Sequence, residues 1–180
     1  RYDQLRRSLR SIKSPGTRQR GIRKHNLRVH NSVDIDRPPR GPAHFDDIAP
    51  ELAKHYKVFV PDCRGHGHSN NPNMSYSFKE LASDTATFIR AMGYERAHVI
   101  GHSNGGNAAL VTLLEHPDVI QTCIPQAANA FVTRYLIERE PVLFDPERVA
   151  REAPEWMNEM IRLHSEVNGK EYWRDLLQMT

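Results

Sequence analysis

Apolar positions along this chain follow two rhythms. Lys57-Val58-Phe59-Val60-Pro61, Ala97-His98-Val99-Ile100 and Val119 to Ile124 are short apolar runs of strand length. Between the first two, Phe78, Leu81, Ala82, Thr85, Phe88, Ile89 and Met92 recur on one helical face that stops at Gly93. Ser77-Phe78-Lys79-Glu80 opens that helix as a capping box. Between the second and third, Asn107 to His116 carries Ala108, Leu110, Val111, Leu113 and Leu114, and Pro117 closes it. Upstream, Phe45, Ile48, Ala49 and Leu52 mark a short amphipathic helix ending near His55. Strands alternating with helices predict an α/β fold with a parallel sheet, in which these three strands are neighbours, and helices on its faces.

After Ala130 the alternation stops. Asp145-Pro146 reads as an N-cap followed by proline at the first helical position. Pro154 opens another helix bearing Trp156, Met157, Met160, Ile161 and Leu163, and Gly169 separates a last segment with Tyr172, Trp173, Leu176 and Leu177. Three regions are expected: a basic, disordered arm over 1–40, an α/β core over 41–130 and a helical region over 131–180.

Charge sharpens that division. The first 40 residues hold 12 lysines and arginines against three acids (Asp3, Asp34, Asp36), while residues 41–180 hold 13 against 19. In the arm, Leu5, Leu9 and Ile12 stand at helical spacing before a Pro15-Gly16 break. Too few apolar residues are present there to form a core, so few tertiary contacts are expected over about residues 1–30. A transit peptide or a polyanion-binding arm is the alternative reading of such a stretch. At 180 residues, with 38% hydrophobic content, the chain suits one core-bearing domain. No apolar run is long enough to span a bilayer, so no membrane partner is expected. Cys63 and Cys123 have neither metal-type nor redox-type spacing and read as buried free thiols, which fits a cytoplasmic location.

The chemistry concentrates at Gly101-His102-Ser103-Asn104-Gly105. A Gly-x-Ser-x-Gly between a strand and a helix makes a tight turn that lifts the serine hydroxyl clear of the backbone. A side chain at Gly101 or Gly105 would collide with the neighbouring strand or helix. The helix N-terminus behind Ser103 points N–H groups and the positive dipole end at any oxyanion formed there.

A second block follows the Val58–Val60 run: Asp62-Cys63-Arg64-Gly65-His66-Gly67-His68-Ser69. With Gly101 to Gly106 it resembles the α/β-hydrolase superfamily, in particular its small lidded serine esterase, lactonase and peroxidase-like members. Asp62, Arg64, Gly65, Gly67 and Ser69 meet each fixed position of the family's Asp-x-Arg-Gly-x-Gly-x-Ser, a loop to which no chemistry is assigned. The resemblance covers about residues 45–180. It implies Ser103 as nucleophile, the backbone N–H of Asn104 as an oxyanion donor, and the start of a helical lid after Ala130. It also implies a mostly apolar pocket for a small ester, lactone or related carbonyl substrate. Serine rather than aspartate at the nucleophile position disfavours epoxide hydrolase and haloalkane dehalogenase chemistry.

Serine needs a base, and the base an orienting acid, in the chain order Ser, acid, His. Past Ser103 only His116 and His164 remain. His116 reads as a helix C-terminal residue and His164 falls in the lid, although Asp145 and His164 satisfy the required order. The family's acid and histidine follow later strands, so the chain is expected to be a truncated, partial α/β-hydrolase fold with an impaired site. The front of the chain, Val33 to Gly41, has two adjacent prolines and no His-Gly strand, so the second oxyanion donor is expected to be absent too. The alternative is an inactive hydrolase fold that binds a ligand or partner. No metal, flavin, nicotinamide or nucleotide signature is present, so no cofactor is expected, and nucleic acid is not an expected partner.

Overall fold

The computed structural model describes residues 9–10, 26–30, 45 and 48–179. Five strands form one sheet: β1 (Leu9–Arg10), β2 (Asn26–His30), β3 (Lys57–Pro61), β4 (Ala97–His102) and β5 (Ile120–Gln126). Their spatial order is β1-β3-β2-β4-β5, with β1 antiparallel to β3 and every other pairing parallel. Helix α1 (Ile48–Leu52) precedes β3, α2 (Phe78–Ala91) links β3 to β4, and α3 (Asn104–Glu115) links β4 to β5. Four helices follow: α4 (Arg134–Leu143), α5 (Pro146–Glu152), α6 (Pro154–Asn168) and α7 (Tyr172–Met179).

Two expectations about the front of the chain need correcting. Leu9–Arg10 and Asn26–His30 lie in the basic stretch expected to make few contacts, yet both pair into the sheet. Leu9, placed by its spacing on a helix, is in a strand. β2 also separates β3 from β4, which were expected to be neighbours. Asn26–His30 offers only Leu27 and Val29 as apolar residues, short of the near-continuous run by which a strand buried on both faces is recognised. The remaining arm residues lie outside the described ones.

The strand β4 shows how the core is divided. Successive strand residues face opposite sides of a sheet. Val99 packs with Ala86 and Ile89 of α2 and Ala109 of α3, while Ile100 packs with Phe45, Ala49 and Val58 on the α1 side. Phe59 of β3 meets Phe88 of α2 edge to face at 5.9 Å between ring centroids. Burying one such aliphatic side chain contributes about 1.5–3 kcal/mol. Ser77 caps α2 as read, with the Glu80 N–H donating to Ser77 Oγ at 3.2 Å, while Glu80 returns to the cap through the Ser77 hydroxyl, which donates to Glu80 Oε2 at 3.0 Å.

The helical region has its own core. Val149, Met160, Tyr172, Trp173, Leu176 and Leu177 bury one another, with Phe144, Trp156, Met157 and Ile161 packed around them. Asp145 caps α5, accepting from the Arg148 N–H at 2.8 Å, with Pro146 at the first position. Helix α4 was not anticipated from the sequence. Thr133 caps it and Pro141 lies inside it, but none of its residues is buried, so no apolar face marks it.

Candidate active site

Winding places the site. The chain runs from β2 to β3 on one side of the sheet and then crosses to β4 and β5 on the other. Open α/β sheets hold their ligands at such a reversal, which falls here at the carboxyl ends of β2 and β4. Ser103 sits there, between the last residue of β4 and the first of α3. Its backbone has φ 53° and ψ −122°, a conformation a non-glycine residue adopts only when its surroundings force it.

The surroundings are glycine backbone. A Cβ on Gly101 would lie 2.0 Å from the Gly105 carbonyl oxygen, and one on Gly106 would lie 2.8 Å from the Gln126 carbonyl oxygen. Strand and helix therefore approach more closely than any side chain permits, and the serine between them takes up the bend. The Ser103 N–H donates to the Gln126 carbonyl at 2.9 Å, which ties the turn to the end of β5. The Asn129 N–H donates to Asn107 Oδ1 at 2.7 Å, holding the chain beyond β5 against the first turn of α3. Ser103 is half-buried rather than fully exposed, and its side chain makes no cap to its own helix. Asn104 is the first helical residue, so its N–H is among those with no acceptor inside α3.

The Asp62–Ser69 loop is held by structural contacts. Arg64 donates from Nε and Nη2 to the two carboxylate oxygens of Asp84 at 2.7 and 2.9 Å, and from Nη1 to Glu80 at 2.8 Å. Hydrogen bonding to Asp84 raises the Arg64 pKa, and hydrogen bonds from Ser75 and Ser77, with Arg64 adding to them, lower that of Glu80. Gly67 has φ 52°, and a Cβ there would lie 2.4 Å from Asp62 Oδ2. The Ser69 hydroxyl donates to the Asp62 carbonyl at 3.0 Å.

The histidines after Ser103 have other partners. His116 Nε2 lies 3.4 Å from Ser83 Oγ, at the far end of α3. His164 Nδ1 accepts from the Gly67 N–H at 2.8 Å, and burial, with His66 beside it, lowers its pKa to about 3. Asp145, next to His164 in the expected chain order, is occupied as the α5 cap. Nothing in the sequence pointed to the His164–Gly67 bond, because the two residues are 97 positions apart. Neither thiol is in a disulfide; Cys63 is buried and Cys123 only half-buried, with burial raising the Cys123 pKa. Among the described residues, no cluster of three or more His, Cys, Asp or Glu is placed to hold a metal ion. No helix among them is long and apolar enough to cross a membrane.

Residues 39–179 match the family model of the alpha/beta hydrolase fold, and the chain belongs to that family. It is 40% identical to a fluoroacetate dehalogenase of a Burkholderia species over 78 residues, 41% of this chain and 26% of the dehalogenase. It is 31% identical to the human serine hydrolase BPHL over 94 residues, 48% of this chain and 32% of that protein. Among solved structures, the enol-lactonase of Burkholderia xenovorans LB400 superposes with a TM-score of 0.61 at 21% identity. That superposition covers 89% of this chain and 66% of the lactonase, so the likeness shows the fold. The matches span about a quarter to a third of those two sequence relatives' lengths.

Proposed function

We propose that Ser103 is the nucleophile of a hydrolase lineage acting on small esters, lactones or related carbonyl compounds, with the Asn104 backbone N–H as one oxyanion donor. The observation that carries this reading is the backbone of Ser103, held at φ 53° by a strand and helix that only glycine lets approach. A serine needs no such bend to cap a helix, and this one makes no cap. The bend has a use in acyl transfer: it presents Oγ ahead of a helix N-terminus whose N–H groups are free for a developing oxyanion.

Serine also argues for carbonyl substrates over those of the dehalogenase relative. A carboxylate that displaces a halide from a saturated carbon leaves an ester, which water can open. A serine alkoxide doing the same would leave an ether and inactivate the protein after one event. Attack on a carbonyl leaves an acyl-serine, which hydrolyses.

Within these 180 residues, turnover is expected to be near background. His116 and His164 are both committed elsewhere, and without a base an alkoxide does not form at neutral pH. That commitment favours a second reading, a hydrolase fold that binds without catalysis. Hydrolysis of p-nitrophenyl acetate separates the two. The 180-residue chain is expected to show no Ser103-dependent rate. A chimera completed with the C-terminal segment of the enol-lactonase is expected to turn over, and Ser103→Ala in it to lose at least about 10³-fold. Chimera activity indifferent to Ser103→Ala would refute the nucleophile assignment. A folded but inactive chimera would support the binding reading.

A further inference from the structure

We propose that the α5–α7 helical unit is held to the sheet by an acid-sensitive latch, in which the neutral rings of His66 and His164 form the contact and protonation of either releases it. The two bodies have separate apolar cores, one around Val99 and Ile100 and one around Met160 and Leu176. Among the described residues they meet at a seam on the loop at 65–71. There the Gly67 N–H donates to His164, the rings of His66 and His164 meet edge to face at 5.2 Å, and Asn71 Nδ2 lies 3.9 Å from Met179 Sδ. Gly65, at φ 72°, leaves space that the Tyr172 hydroxyl occupies.

The geometry admits only a neutral His164 ring, and both rings are buried. His164 Nδ1 accepts a backbone N–H, so its proton is on Nε2, which is buried without a partner among the described residues. His66 Nδ1 donates to the Arg64 carbonyl at 3.1 Å. A second proton on His164 would set N–H against the Gly67 N–H and place a cation beside the His66 ring. Burial lowers the pKa of both histidines, that of His164 to about 3.

Neighbouring charges do not reverse this. Asp62 favours a cationic His66, but less than burial opposes it. Arg64 is occupied by Asp84 and Glu80. Tyr76 and Cys63 are further titratable groups of the core side, and Tyr172 and Asp175 come from α7. His68 lies 3.4 Å from Asp62 and 3.2 Å from Glu166 of α6. It is half-exposed, so its contribution is small.

The sign follows from the lowered histidine pKa values. The open state binds more protons, so docking is fully present above the free imidazole value of about 6.5 and weakens as pH falls below it. His164 alone increases the opening constant by about 25-fold between pH 7 and pH 5, and His66 acts in the same direction.

Hydrogen exchange on the intact chain between pH 5 and pH 7.5, corrected for intrinsic rates, tests the latch. Protection of peptides spanning 64–69 and 160–168, relative to 97–115, is expected to fall by at least about 25-fold from pH 7 to pH 5. In His164→Asn an amide oxygen replaces Nδ1 without titrating, and the fall is expected to shrink to what His66 leaves. A seam that keeps its relative protection, or a variant that keeps the full fall, overturns the proposal. If the variant does not fold, carbon-13 histidine NMR of the wild type decides. Rings that stay neutral while the seam is protected support the latch, and a seam histidine titrating near pH 6.5 with its amides still protected overturns it.

Discussion

The turn at Ser103 is walled by glycine backbone, whereas the seam at His66 and His164 is filled with histidine, tyrosine and asparagine side chains. The first is built from residues 101–106 backed by Gln126 and admits no added atom at Gly101 or Gly106. The second joins residues about a hundred positions apart through hydrogen bonds and ring contacts, and its stability depends on protonation. The difference teaches that the two have separate determinants. Sterics fix the Ser103 turn whatever the solution conditions, while the helical unit is attached by contacts that conditions can remove.

Gly101→Ala should break the comparison most severely on the turn side. A Cβ 2.0 Å from the Gly105 carbonyl requires strand and helix to part, at a cost of about 3 kcal/mol or more. Thermal unfolding followed by circular dichroism checks this, and a variant melting with the wild type would show that the turn is not sterically closed.

Leu176→Ala tests whether the helical unit is energetically separate. Leu176 is 1% exposed in that unit's core, so its truncation should cost about 2–5 kcal/mol. The loss is expected to appear in hydrogen exchange of α5–α7, with β4 and α3 keeping their protection. Equal loss in both would make the molecule one cooperative unit.

Arg64→Met removes the two-pronged bond to Asp84 and the bond to Glu80, both on α2. The carboxylates are partly exposed, so the loss should be about 1–2 kcal/mol and smaller at high salt. Urea unfolding at two ionic strengths reads both, and a salt-independent loss would point to packing of the arginine stem instead.

Much of the fold was legible because it is local. Short apolar runs marked β3, β4 and β5, a one-faced apolar stripe marked α2, and Ser77 and Asp145 announced their helices. Strand β2 was not legible, since Asn26–His30 holds only Leu27 and Val29 as apolar residues and lies among arginines. Neither was α4, which buries no side chain and so carries no stripe. At the site, Gly-x-Ser-x-Gly announced the turn, and the positive φ at Ser103 is what that spacing requires. The roles of Arg64 and His164 depend on which elements fold against the Asp62–Ser69 loop, and no spacing within the chain encodes that.

On the reading proposed above, Ser103 is held in strain so that its hydroxyl is presented. Unfolding free energies of Ser103→Gly and Ser103→Ala, measured side by side, test it most directly. Both variants remove the hydroxyl, and neither loses a cap, because Ser103 makes none. Glycine relieves a φ of 53° that alanine retains, which is worth about 1–3 kcal/mol, against about 0.5–1 kcal/mol for glycine's greater backbone entropy in the unfolded chain. Ser103→Gly is therefore expected to be more stable than Ser103→Ala by about 0.5–2 kcal/mol. A glycine variant no more stable than the alanine variant would contradict the claim.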